Sequence, residues 1–179
     1  MRVIAGTARG RRLVAPPGPT TRPTTDRVRE ATFNALGSLG AVTDGTVLDL
    51  FAGSGAMGIE ALSRGAAHAT FVDPDRAARA AVEANLAACG MAGSATVVGD
   101  TADRFLVEAH RQELVFDLAF LDPPYGFDGW SGLLPALPAA IVVVESGRPL
   151  DVPEGWEERR AKRYGRTHVA ILERSDAIG

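Results

Sequence analysis

The sequence predicts an α/β protein: a mostly parallel central sheet with helices on both faces. Three observations carry this. From residue 46 onward, short apolar runs alternate with longer helical stretches; a glycine-rich turn joins the first run to the first helical stretch; and an acid stands at or just past the end of each of five runs, as Asp49, Asp73, Asp100, Asp122 and Glu145. Parallel strands need crossover segments, usually helices, which pack on both faces of the sheet. Ligands of such sheets bind outside the carboxyl ends of the strands, which is where these acids fall.

Residues 2–5 and 11–15 are β-prone stretches around a glycine-containing turn and predict a hairpin, after which Pro16, Pro17, Pro19 and Pro23 extend the chain. Thr25-Asp26 predicts a helix N-terminus, and Val28, Ala31, Thr32, Ala35, Leu36 and Leu39 recur at helical spacing, so a helix is expected over 26–39. Strands are expected at 47–50, 69–73, 95–98, 117–121 and 140–144, with helices at 56–64, 75–89 and 101–112; residues 126–139 read as a short loop. The stretches 156–164 and 167–172 flank Gly165-Arg166 and predict a closing antiparallel hairpin. The chain therefore divides into a basic hairpin and arm, 1–25, and a body, 26–179.

A hydrophobic fraction of 46% with 23% charged residues fits a folded core and excludes a disordered chain. The single Cys89 excludes a disulfide scaffold. The absence of a long apolar run or signal-peptide core leads to the expectation of a cytoplasmic protein. His68, His110 and His168 share no metal-ligand spacing, so no metal site is expected. The formal charge of −3 hides an asymmetry: residues 1–29 hold Arg2, Arg9, Arg11, Arg12, Arg22, Arg27 and Arg29 against the acids Asp26 alone. Arg159, Arg160, Lys162, Arg163 and Arg166 form a second cluster. Two basic stretches on an acidic chain point to a local polyanion-binding surface, such as one for nucleic acid.

The turn after the first strand reads Asp49-Leu50-Phe51-Ala52-Gly53-Ser54-Gly55-Ala56-Met57-Gly58, so that Gly53, Gly55 and Gly58 spell GxGxxG. Such glycines permit a tight turn, close backbone approach to a ligand and close packing of helix on strand. Asp73 follows Gly53 by 20 residues, the distance at which an acid ending the second strand accepts hydrogen bonds from ribose hydroxyls. The pair predicts an adenosine-containing cofactor and leaves open whether it is a nicotinamide dinucleotide or S-adenosylmethionine. Asp49 either organises the ligand or caps the turn.

The fourth strand ends Leu121-Asp122-Pro123-Pro124-Tyr125-Gly126. Proline cannot continue a central strand, so the chain leaves the sheet at Asp122. An acid acceptor, a carbonyl on a segment stiffened by two prolines and the flat face of Tyr125 together suit a planar heterocycle carrying an exocyclic amine.

These residues resemble a known family. Asp122-Pro123-Pro124-Tyr125 is similar to the [D/N/S]-P-P-[Y/F/W] signature of S-adenosylmethionine-dependent methyltransferases acting on exocyclic amines of nucleobases, and Asp49 to Gly55 resembles their cofactor loop. Arg2-Val3-Ile4-Ala5-Gly6, Arg9-Gly10-Arg11 and the stretch from Arg22 to Ala31 resemble the N-terminal arm of bacterial 16S rRNA (guanine(966)-N2)-methyltransferases, as do Gly58 to Ala66 and Tyr164-Gly165. Asp73 stands where many relatives carry Glu, which keeps a ribose acceptor.

The resemblance implies a Rossmann-like class I methyltransferase fold with S-adenosylmethionine as cofactor. It implies Asp49, Phe51, Ala52, Gly53, Ser54, Gly55, Asp73, Asp100, Thr101 and Asp122 around that cofactor, and Asp122, Pro123 and Tyr125 at the reacting base. Arg2, Arg9, Arg11, Arg12, Arg22 and Arg27 would hold RNA, namely 16S rRNA in an assembling or assembled small subunit, with the protein a monomer. Two other readings stay open: a methyltransferase for another exocyclic base amine, such as adenine N6 in RNA or DNA, and a non-catalytic RNA-binding or ribosome-assembly factor on the same fold. A nicotinamide-dependent dehydrogenase gives Asp122-Pro123-Pro124-Tyr125 no role.

Overall fold

The computed structural model describes residues 1–17, 25–124 and 126–175. After the N-terminal segment the elements are α1 (Asp26–Ser38), β1 (Thr46–Asp49), α2 (Ala56–Ser63), β2 (His68–Val72), α3 (Arg76–Cys89), β3 (Ala95–Val98), α4 (Ala102–Arg111), β4 (Phe116–Leu121), α5 (Trp130–Ala136), β5 (Ala139–Ser146), β6 (Trp156–Tyr164) and β7 (Thr167–Arg174). The strands form one seven-stranded sheet in the order β3-β2-β1-β4-β5-β7-β6. Strands β1 to β5 pair in parallel, and β7 enters antiparallel between β5 and β6.

Side chains of successive strand residues alternate across this sheet, and both faces are covered, which is why the parallel strands read as continuous apolar runs. Val47, Ala69, Phe71, Leu118, Phe120 and Val143 pack with α1, α2 and α3. Leu48, Leu50, Val72, Leu121, Val142 and Val144 pack with α4 and α5. The helices start where polar caps satisfy their first amides: Thr25 accepts from Val28 N at 3.3 Å, Asp75 from Ala77 N at 2.6 Å, and Thr101 from Arg104 N at 3.4 Å.

The parallel sheet, the closing hairpin and the N-terminal hairpin match the sequence reading, and three local features refine it. First, the N-terminal hairpin is short: Arg2 bridges Arg12 in antiparallel fashion, Val3 N donates to Arg11 O at 3.0 Å and Leu13 N to Met1 O at 3.0 Å. Its turn is also tied to α2. Ile4 N and Ala5 N donate to the Glu60 carboxylate at 2.8 and 3.0 Å, Thr7 N to Ser63 O at 2.8 Å, and Ala8 N to Ser63 Oγ at 3.0 Å. The segment is built into the core, where Val3, Ala8 and Leu13 are buried with Phe33, Leu36 and Ile59. Second, residues 126–139 contain α5, whose seven residues, Pro135 among them, are too few for helical periodicity to register. Third, β2 stops at Val72, which leaves Asp73 just outside it.

Candidate active site

Strand β1 delivers the chain into the glycine turn. Gly53 and Gly55 have positive φ, 53° and 74°, and Gly55 is the left-handed N-cap of α2. Gly58 serves packing: a Cβ there would fall 2.4 Å from the Phe71 ring, so helix α2 can lie this close to β2 only with glycine. A Cβ on Gly53 would instead meet nothing nearer than Phe51 O at 4.0 Å, so this residue presents bare backbone to open space. That is the arrangement a cofactor needs to approach main chain.

Three acids surround the turn. The Asp49 carboxylate is 4% exposed and accepts from Gly58 N at 3.0 Å, so it caps the turn. Burial pushes its pKa up to about 7; the Gly58 N–H opposes that rise and the Asp73 charge adds to it. Asp73 accepts from Gly53 N at 2.9 Å through Oδ2 and from Asp75 N at 2.9 Å through Oδ1. A carboxylate has about four lone-pair positions, so each oxygen keeps one for a ligand hydroxyl. Asp100 lies past β3, where its Oδ1 accepts from Thr101 N at 2.9 Å and meets Arg104 Nε at 3.3 Å. Thr101 itself caps α4.

The other half of the site is the end of β4. Pairing with β5 ends at Leu121↔Val144, and Asp122 follows as an exposed residue outside the sheet. Pro123 is buried, Pro124 is exposed, and Phe127 N donates to Pro124 O at 3.1 Å, closing a tight turn. Leu50 N donates to Phe120 O at 3.1 Å and Ala52 N to Val72 O at 3.1 Å, which ties the glycine turn to the ends of both flanking strands. The turn, Asp73 and Asp122 therefore share one rim of the sheet. Arg22 and Tyr125 lie outside the described residues.

Several contributors escaped the sequence reading. Phe127 packs edge-on against Phe51 at 5.9 Å and Trp130 at 4.8 Å, joining the glycine-turn segment to the loop after β4. Trp130, which its residue type already favours as a packing anchor over a base stacker, is buried at 8% exposure in that role. Asn85 on α3 is buried; it donates to Ser54 O and to Val14 O, both at 2.9 Å, and accepts from Val14 N at 2.8 Å. It connects the N-terminal segment to the glycine turn. Its only signal in the sequence is a polar residue on the apolar face of an Ala-rich helix.

Of the arm arginines, Arg2, Arg9, Arg11, Arg12 and Arg27 are exposed. Arg29, counted above in the basic surface, is fully buried and belongs to the core: it donates to Arg2 O and to Asp26 Oδ1, and its Nε lies 3.6 Å from Glu60 Oε2. Among the described residues no cluster of His, Cys, Asp or Glu could hold a metal ion, and no helix is long and apolar enough to cross a membrane.

Residues 1–173 match the family described as Conserved hypothetical protein 95. The chain is 41% identical to "Putative rRNA methyltransferase YlbH" of Bacillus subtilis, over 97% of this chain and 99% of that protein. It is 40% identical to "Ribosomal RNA small subunit methyltransferase D" of Escherichia coli, over 97% of this chain and 90% of that one. Among solved structures, "Putative methyltransferase yhhF from Escherichia coli" superposes with a TM-score of 0.82 at 39% identity, covering 97% of both chains. A glycine turn after β1, an acid after β2 and an acid-Pro-Pro exit from β4, on this sheet order, define a class I S-adenosylmethionine-dependent methyltransferase. The chain belongs to the Conserved hypothetical protein 95 family, that of the bacterial ribosomal RNA small subunit methyltransferase D proteins.

Proposed function

We propose that this chain transfers a methyl group to the exocyclic N2 amine of one guanine of 16S rRNA. The observation that carries the reading is the meeting, on one rim of adjacent strands β1 and β4, of the glycine turn with the Asp122-Pro123-Pro124 exit, beside a body onto which an arginine-bearing arm is hydrogen-bonded. We assign residues 1–25 to gripping RNA and 26–179 to the methyltransferase body, acting as a cytoplasmic monomer on the small subunit.

The residues suit the cofactor. Bare backbone from Ala52 to Gly55, with Phe51 behind it, would receive the methionine portion, the unused lone pairs of Asp73 the ribose hydroxyls, and Asp100 with the neighbouring Thr101 the adenine edge. S-adenosylmethionine supplies an electrophilic methyl group on a sulfonium centre. The nucleophile is the difficulty: the lone pair of a guanine amine is delocalised into the ring. Hydrogen bonds accepted from both amine hydrogens, by the Asp122 carboxylate and the Pro123 carbonyl, favour a pyramidal nitrogen with an exposed lone pair, while Tyr125 stacks on the base. Rate then comes from positioning and preorganised electrostatics, with no covalent enzyme intermediate. The base must be unstacked to enter, which costs a few kcal/mol when it starts in a helix.

Two measurements follow. Asp73→Ala removes a charged acceptor that holds both ribose and Gly53 N, so S-adenosylmethionine affinity by calorimetry is expected to fall about ten- to a hundredfold; unchanged affinity would remove Asp73 from the cofactor site. Arg9, Arg11 and Arg12 all changed to Gln are expected to weaken rRNA binding and reduce the slope of log K against log salt by about 2. Cofactor affinity is expected to stay near parental in that variant. Parental rRNA affinity would reject the arm as the RNA grip.

A further inference from the structure

The second basic cluster, expected from the sequence to bind a polyanion, has no assigned place at the site, and the strand register gives it one. Val144 pairs with both Leu121 and Ala170, and Ala170 with Ala161, so the next rung, Glu145, Val169 and Lys162, lies level with the point just past Leu121 where Asp122 leaves the sheet. Because β7 runs antiparallel to both β5 and β6, β6 points the same way as β4, and its C-terminal end, Arg163, Tyr164 and the Gly165-Arg166 turn, lies on the rim where Asp122 leaves the sheet. Neighbouring strands lie about 4.8 Å apart, so three steps from β4 to β6 put this end about 14 Å from Asp122. It lies on the opposite side from β1, β2 and β3, whose ends carry the cofactor residues.

Charge along β6 is graded in the same direction. Glu157 and Glu158 follow Trp156 at the start of the strand, and Arg159 is held by Glu173 at 2.5 Å and Glu157 at 3.5 Å, so this cation is neutralised away from the rim. Toward the rim the strand turns basic. Lys162 is exposed with its ammonium 5.3 Å from the Tyr164 ring centre, on the face shared with α1; Arg163 is exposed with its Nε donating to Gly165 O at 2.7 Å; Arg166 is exposed at the turn. A backbone carbonyl holds the Arg163 guanidinium in place without cancelling its charge. The carboxylates that face this rim from neighbouring strands are Glu145 and Asp122.

We infer that Lys162, Arg163 and Arg166, at the tip of the β6–β7 hairpin, form a second RNA-backbone contact that holds phosphates of nucleotides flanking the target base. The inference rests on Asp122 being the point where that base is held. The arm on the α2 side and this tip then grip the strand on two sides of the pocket, with the flipped base between them. Backbone contacts of this kind set register and orientation and carry little sequence information.

The test uses the full chain carrying Lys162→Gln, Arg163→Gln and Arg166→Gln together, with Arg159→Gln as the control. Binding to small-subunit rRNA stripped of protein is measured by filter retention across a salt series. The triple variant is expected to bind about tenfold more weakly at low salt and to lose about 2 from the slope of log K against log salt, whereas Arg159→Gln follows the parent. An unchanged slope in the triple variant overturns the inference. So does a variant that binds stripped rRNA normally and loses activity only on assembled subunits, because the tip would then meet a ribosomal protein. Methylated nucleosides are identified in the same reactions: a parent that binds rRNA with the full slope but methylates something other than guanine N2 defeats the proposed reaction, while the slope difference still supports the tip contact.

Discussion

Asp122→Ala is expected to lower the turnover of methyl transfer by about 10²–10³-fold, the scale on which removal of one preorganised polar partner of a reacting group is felt. Turnover should fall far more than cofactor affinity. The carboxylate stands immediately outside β4, on a segment whose direction is fixed by buried Pro123 and by the Phe127 N–H bonded to Pro124 O at 3.1 Å. An acceptor held this way requires no reorganisation when the amine becomes pyramidal. Asp122→Asn keeps one acceptor oxygen and loses the charge, so its turnover is expected between those of alanine and the parent. Single-turnover kinetics separate chemistry from binding; an alanine variant with near-parental single-turnover rate and retained cofactor would remove Asp122 from the reaction.

The second large effect is on stability. Glu60 is fully buried, and its carboxylate accepts from Ile4 N at 2.8 Å, Ala5 N at 3.0 Å and Arg64 Nε at 2.7 Å, with Arg29 Nε at 3.6 Å. Glu60→Ala removes those acceptors and leaves the buried Arg29 guanidinium facing no buried carboxylate, with only its bond to the exposed Asp26 at 2.9 Å. Breaking a buried pair in this way costs about 3–5 kcal/mol. At about 2–4 °C per kcal/mol for a chain of this size, Tm should fall on the order of 10 °C. Pairing Glu60→Leu with Arg29→Met is expected to recover part of the loss, since no buried charge is left unmatched. Recovery stays incomplete because the Ile4 and Ala5 N–H groups remain without acceptors. A thermal scan of Glu60→Ala within 1–2 °C of the parent would contradict a structural role for this carboxylate, and the arm would then be held by its apolar contacts.

The arrangement of the sheet was legible because each strand of the parallel half is a short apolar run closed by an acid, and because the glycine turn and Pro-Pro exit are local signals. Asp49, Asp73 and Asp122 could be picked out by position alone, since a strand end in this class of sheet is a place of known significance. Glu60 and Asn85 could not. Their partners are backbone groups 55 and 71 residues away, and nothing in the local sequence states that Ile4, Ala5 or Val14 would seek them. Arg29 misled for the matching reason: its charge counts toward a basic arm by sequence, while its helical position turns it inward onto Glu60. The β6 cluster, five cations by sequence, separates only when register distinguishes Arg159, paired with acids, from the tip on the rim where Asp122 leaves the sheet.

The labelled nucleoside decides the reaction: the chain and labelled S-adenosylmethionine are incubated with small subunits from cells lacking this modification, the rRNA is digested, and the product is identified by mass spectrometry. N2-methylguanosine at a single position is the predicted result. Methyladenosine would keep the amine chemistry and contradict the substrate, and cofactor binding without transfer to any subunit or stripped rRNA would contradict the assignment of this chain as an rRNA methyltransferase.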